Sequence, residues 1–168
     1  MDVANRTMEN GPMPGIRIAR TAADIDAVRE LFREYARGAN APACFVTFED
    51  EIATLPGDYA LPSGRLLLAV DAEPAGCVAL RSLEANTANT AEIKRLYVRA
   101  TFRGTGLGRA LAMAAIEAAR ESGARRVVLD TLPSMVEAQR LYRSLGFREI
   151  APYLAAPTPC ALCFELPL

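Results

Sequence analysis

The sequence predicts a mixed α/β domain, with a mostly antiparallel central sheet that carries helices on both faces. Three observations predict it. The chain has 168 residues, enough for one domain with a real apolar core and no need of disulfides or metal. Arg65 to Asp71 and Gly76 to Arg81 are short apolar runs joined by Ala72-Glu73-Pro74-Ala75, the pattern of two antiparallel strands and a turn. After them strand and helix patterns alternate as βαβαβ, which calls for crossovers and so for a mixed sheet.

The elements follow in order. Residues 1–15 hold two prolines and two glycines and read as a disordered lead-in; 16–168 read as a single domain. Thr21-Ala-Ala-Asp24 is a capping signal, and Ile25, Val28, Leu31, Phe32 and Tyr35 follow at helical spacing, so a helix is expected from Ala22 to Arg37. A weaker helix spans Phe48 to Leu55 and ends before Pro56-Gly57. The two hairpin strands come next, and then a third strand, Ala91 to Arg99. Phe102 to Gly108 is a glycine-rich turn that opens an alanine-rich helix, Leu107 to Ser122, closed by Gly123. Arg126 to Asp130 is a buried strand. Ser134-Met-Val-Glu137 has the form of a capping box and opens a helix whose Ala138, Leu141, Tyr142 and Leu145 share one face. Gly146 ends that helix, and strands near Phe147 and over Cys160 to Leu166 complete the domain.

Composition excludes several classes. Nineteen basic and twenty acidic residues give a net charge of −1, which does not suit a nucleic-acid binder. The longest apolar run, Leu66 to Val70, is too short to span a bilayer, and Asp2, Arg6 and Glu9 break up any signal-peptide core, so a cytoplasmic protein is expected. There is no histidine, which removes Ser-His and Cys-His nucleophile systems and a histidine base. Cys160 and Cys163 have the spacing of half a zinc knuckle but no second pair, so no metal site is expected, and Cys44, Cys77, Cys160 and Cys163 read as free thiols.

The chemistry concentrates in Arg103-Gly-Thr-Gly-Leu-Gly108 at the start of a helix. A diphosphate needs converging backbone N–H donors, close approach of the main chain and a favourable dipole, and a glycine turn at a helix N-terminus supplies all three. Arg103 and Arg109 add positive charge. A dinucleotide fingerprint would follow the first strand of a parallel sheet, and a Walker loop would carry Gly-Lys-Ser or Gly-Lys-Thr; neither pattern is present.

Taken with Ile93-Lys-Arg-Leu-Tyr-Val98 before it and Ala138-x-x-Leu141-Tyr142-x-x-Leu145-Gly146-Phe147 after it, this loop resembles the GNAT superfamily of N-acetyltransferases, over roughly Ile16 to Leu168. The resemblance implies a GNAT-like fold with a splayed, cofactor-binding strand pair. It also implies that Leu96, Tyr97 and Val98 offer main-chain groups to the pantetheine arm of acetyl-CoA. Arg103, Gly104, Thr105, Gly106, Leu107, Gly108 and Arg109 would hold the pyrophosphate. Tyr142 stands where the family has a tyrosine beside the coenzyme sulfur, and as a phenol it could protonate the departing thiolate. The same side chain would also suit a buried helical face. Glu92 stands where many members have a catalytic glutamate; pairing with Lys94, on the same face of a regular strand, is the alternative. Glu84 and the Glu49-Asp50-Glu51 cluster are weaker candidates. Met135 departs from the family, which often has asparagine there, and Ser134 or Thr131 could take its place. The expected reaction moves an acetyl group from acetyl-CoA to a primary amine of a small molecule by direct attack in a ternary complex, without metal, nucleic acid or membrane, and with room for a homodimer. A catalytically silent acyl-CoA-binding module, or an acetyltransferase acting on a protein amine, would keep the same loop.

Overall fold

The computed structural model describes residues 13–39, 47–83 and 89–168. Among these, seven strands form one sheet: β1 (Gly15–Ile18), β2 (Arg65–Val70), β3 (Pro74–Leu83), β4 (Thr90–Val98), β5 (Arg126–Thr131), β6 (Arg148–Ile150) and β7 (Leu162–Pro167). Their spatial order is β1-β2-β3-β4-β5-β7-β6. Every neighbouring pair is antiparallel except β4 and β5, which run parallel across the α3 crossover. The helices are α1 (Ala22–Ala39), α2 (Phe48–Ala53), α3 (Leu107–Glu121) and α4 (Val136–Ser144). The expected fold class holds.

Two apolar layers explain why the central strands read as continuous runs. On one face Leu67, Val78, Leu80, Ile93, Val127, Leu129 and Phe164 pack against α3 and α4. Ala112, Ala115 and Ala119 of α3 are fully buried, and their small side chains let the helix lie close to the sheet. On the other face Leu66, Leu68, Cys77 and Ala79 pack under Val28, Leu31 and Phe32 of α1 and Ile52 of α2. The start of α1 is held as expected: the Asp24 amide donates to the Thr21 hydroxyl at 3.1 Å and the Thr21 amide donates to the Asp24 carboxylate at 3.3 Å.

Two local readings need correction. No strand was expected before α1, yet Gly15 to Ile18 pairs with Val70 to Leu67, so the sheet begins inside the presumed lead-in. The Ser134 capping box does not form. The helix starts at Val136 with Met135 as an uncapped N-cap residue, and Glu137 instead pairs with Arg140 at 2.7 Å. The buried Gln139 amide donates to the carbonyls of Leu132 and Pro133, both at 3.0 Å, and fixes the chain entry in place of a serine. Cys44 and Glu84 lie outside the described residues.

Candidate active site

The sheet opens where the site was expected. Strands β4 and β5 pair only from Thr90 to Glu92 and Arg126 to Val128, and then diverge. On the opposite edge of β4 the register with β3 slips between Cys77 and Ala79, because Arg95 sits at φ +57° and bulges the strand. A non-glycine residue in that region must be held there. The Arg95 guanidinium grips the Glu51 carboxylate through Nε at 3.1 Å and Nη2 at 2.6 Å, and lies 5.3 Å from the Phe48 ring centroid. Past the bulge, the Arg99 amide donates to Ala75 on the β3 side at 2.9 Å. By the alternation of an antiparallel ladder, the main-chain groups of Val98 and Leu96 then face away from β3, into the gap that β5 has left. The Val98 carbonyl already accepts from Arg103 Nε at 2.9 Å. Tyr97 packs edge-on against Tyr35 of α1 with centroids 6.2 Å apart.

The glycine turn stands at the end of this gap. Gly104 and Gly106 have φ of +75° and +89°, a conformation that side chains resist, and a Cβ on Gly104 would meet nothing within 4 Å. Gly106 is the N-cap of α3 and brings no side-chain acceptor, so the first N–H groups of the helix are left for another partner. Thr105 closes the turn on Phe102 at 2.7 Å. Leu107 is in the core and can offer only its backbone. Gly108 differs from the other two, because its Cβ would point at Val98 and Leu141 at ordinary contact distance. Arg109 bonds Ser144 on α4 at 3.0 Å and remains exposed. An open glycine turn, an uncapped helix and two arginines suit a diphosphate.

Tyr142 of α4 is buried against Phe147, centroids 5.6 Å apart. Burial pushes its hydroxyl pKa well above the usual phenol value, with the Tyr35 and Asp130 side chains adding to the shift. Tyr142 is thus both a core residue and a neighbour of the opening. Glu92 is fully buried. Arg81 Nε donates to its Oε2 at 2.5 Å, Tyr153 donates to its Oε1 at 2.6 Å, and Lys94 lies 3.8 Å away. With no exposed surface and a donor already on each oxygen, this carboxylate cannot be met directly by an acceptor amine. Of the acidic cluster, Glu51 clamps the bulge and also accepts from Tyr59 at 2.7 Å. Glu49 and Asp50 are exposed. Burial lifts the Cys77 thiol far above its ordinary pKa, which makes it a poor nucleophile. Cys160 precedes β7 and is exposed, whereas Cys163 on the strand is buried.

A sequence profile of the Acetyltransferase (GNAT) family matches residues 25–147. The chain belongs to the GNAT acetyltransferase family. This acetyltransferase is 34% identical over 145 residues to an uncharacterized N-acetyltransferase of Schizosaccharomyces pombe, covering 85% of this chain and 88% of that protein. It is 34% identical over 102 residues to the N-acetylaspartate synthetase of Danio rerio, covering 60% of this chain but 36% of that protein. Its fold matches that of a Salmonella typhimurium chain solved with its cofactor acetyl-CoA, with a TM-score of 0.72, 22% identity and 94% of each chain covered.

Around Glu92 and Lys94 the acetyltransferase also has residues that the sequence did not single out: Arg81, Asp130, Tyr153 and Thr158. On the α1/α2 face, Arg81, Glu92, Lys94 and Asp130 form a row of alternating charge across β3, β4 and β5. The segment between β6 and β7 seals this row: Tyr153 donates to Glu92 at 2.6 Å and Thr158 donates to Asp130 at 2.7 Å. Burial alone would raise the Asp130 pKa, but the Lys94 charge and the Thr158 hydroxyl hold it below the ordinary range. Thr131 donates to the Met135 sulfur at 3.6 Å, and Tyr35 donates to the same atom at 3.9 Å. A polar cavity of about 600 Å³ lies beside the row, between α2 and the segment after β6. Lys94, Arg95 and Thr158 line both this cavity and the gap between β4 and β5. Among the described residues, no helix is long and apolar enough to cross a membrane.

Proposed function

We propose that this acetyltransferase moves an acetyl group from acetyl-CoA to a primary amine of a small molecule by direct attack in a ternary complex. One observation carries the reading: the bulged β4, freed from β5 after Glu92, presents unpaired backbone beside a glycine turn and an uncapped helix. A pantetheine arm is an amide chain that can pair like a strand, so Leu96 and Val98 would hold it along the open edge, whereas the main-chain groups of Tyr97, expected from the sequence to share this task, face β3 in the same alternation. Residues from Arg103 to Arg109 would hold the diphosphate through the N–H groups of the α3 start and the two guanidinium groups.

Acetyl-CoA supplies an activated acyl group as a thioester. In this reading the Leu96 N–H would stabilise negative charge on the acyl oxygen, and Tyr142, kept protonated by burial, would supply the proton that the departing sulfur needs. Glu92 is the destination of the amine proton in this reading. Because its oxygens are occupied it acts through Tyr153, whose hydroxyl gives its own proton to Glu92 as it takes one from the acceptor side. The cavity beside the gap holds the amine. Likeness to N-acetylaspartate synthetase, whose name describes a small product, supports a small acceptor over a protein amine.

The test is thiol release. Purified protein is mixed with acetyl-CoA and a panel of amines, and free coenzyme A thiol is followed with time. Amine-dependent release is expected. Tight acetyl-CoA binding with no release for any amine would leave a silent acyl-CoA-binding module.

A further inference from the structure

Arg81 lines both the cavity of about 600 Å³ and an adjoining one of about 480 Å³. Its guanidinium is anchored from behind, since Nε is bound to Glu92, which has no exposed surface. The opposite edge is almost free. Nη1 has Asp58 at 3.5 Å, a residue whose side chain is 77% exposed, and Nη2 has no partner among the described residues. No buried side-chain nitrogen or oxygen there lacks a partner, so this edge opens to solvent and not into the core. The other cations of the cavity each pair with a partner that is largely buried, Arg95 with Glu51 and Lys94 with Asp130, whereas the Asp58 carboxylate on Arg81 Nη1 is exposed and displaceable. What remains is one fixed guanidinium edge, two parallel N–H vectors, facing a site for a small molecule.

We propose that this edge of Arg81 receives a carboxylate carried by the acceptor, so that the preferred substrate is an amino acid or another amine bearing a carboxylate. The proposal rests on the acetyl-transfer reading above and names its acceptor class. A planar fork fits two coplanar oxygens, and a substrate carboxylate would take the place of the exposed Asp58 carboxylate on it while Glu92 stays bound at Nε. The guanidinium is held before binding, so little side-chain freedom is lost when the anion arrives. The contact with Asp58 is an exposed ion pair of the kind that contributes little, and a substrate carboxylate displaces it readily. Lys94 and Arg95 wall both this cavity and the gap, so a molecule held at Arg81 can extend its amine along β4 toward the open backbone.

The experiment compares amino acids with their own carboxamides, which keep the amine and the shape and lose the negative charge. With wild-type protein and acetyl-CoA, each acid should exceed its amide in kcat/KM by about ten- to a hundredfold, the range expected for a charged hydrogen-bonded contact. Arg81→Lys keeps a cation beside Glu92 but removes the fork. It should remove that preference through KM, with acetyl-CoA affinity unchanged. Equal use of acid and amide by the wild type, or an equal loss for both in Arg81→Lys, would overturn the assignment. If Arg81→Lys fails to fold, the wild-type comparison decides alone. Turnover of neutral amines only would overturn the carboxylate receptor and leave acetyl transfer standing. No thiol release with any amine would overturn both.

Discussion

Tyr142 and Glu92 are built into the fold, and the proposed reaction asks a second task of each. Tyr142 packs on Phe147 as a core residue would, yet burial and its neighbours raise its pKa, so it stays protonated through neutral pH. Tyr142→Phe should therefore lower kcat by roughly one to three powers of ten while acetyl-CoA affinity stays nearly intact. Because the folded value is raised, the wild-type rate should show no loss from this group below about pH 10, the ordinary phenol value. A rate-limiting chemical step with unchanged kcat in the variant would leave Tyr142 as packing only. Glu92→Gln should depress kcat/KM most at low pH, and higher pH should restore it because solvent then supplies neutral amine. Tyr153→Phe should share that profile. Glu92→Gln also leaves the Arg81 guanidinium facing a neutral group, so its melting point should fall. A lower melting point with a wild-type pH–rate profile in both variants would mean that Glu92 is structural and that water takes the proton.

Among the elements, the turn into α3 carries its own prediction. Its glycines have separate duties that the sequence pattern alone could not separate. Gly106 sits at φ +89°, where a branched residue is strained, and its added side chain would crowd the uncapped N–H groups. Gly106→Val should lose acetyl-CoA binding, measured by calorimetry, in a protein that still folds. Gly108→Ala should keep both fold and binding, because its Cβ meets the Val98 and Leu141 side chains at ordinary distances of 3.7 and 3.9 Å. Unchanged affinity in folded Gly106→Val would remove the turn from the cofactor site. The bulge of β4 is a different kind of element, since a clamp 44 residues away holds it. Burial opposes ionisation of Glu51, but the hydrogen bonds and charge of Arg95 win and keep its pKa below the ordinary value.

At the scale of the whole molecule, pH should act on stability in one direction. The hydrogen bonds of Arg17 lower the Asp24 pKa, those of Arg99 lower Glu34, and Glu51 and Asp130 are also held low. A carboxylate whose folded pKa is depressed stabilises the fold above its unfolded value, about 4, and that contribution fades as pH falls through the folded value. With no histidine in the chain, little else titrates near neutrality. Urea unfolding should give a nearly flat stability from about pH 5 to 8 and a steep loss below about pH 4. A stability transition between pH 5 and 8 would contradict this charge arrangement.

The sequence by itself determined the hairpin of β2 and β3, the amphipathic faces of α1 and α4, the glycine turn and the parallel crossover. Each is written in neighbouring residues as a period of 2 or of 3.6, or as a turn that needs glycine. It also placed Tyr142 and the loop from Arg103 to Arg109 through a resemblance borne by three short segments. Only the tertiary structure decided where β4 leaves β5, that Arg95 bulges, and that Gln139 replaces Ser134 at the start of α4. Four-residue β1 is too short to show a period and exists because Val70 to Leu67 offer it an edge. The charged row of Arg81, Glu92, Lys94 and Asp130 joins three strands, and its seal by Tyr153 reaches 61 residues along the chain to Glu92. No local pattern encodes such pairs, because their partners are chosen by packing: a buried charge must meet its opposite wherever the folded sheet brings one close.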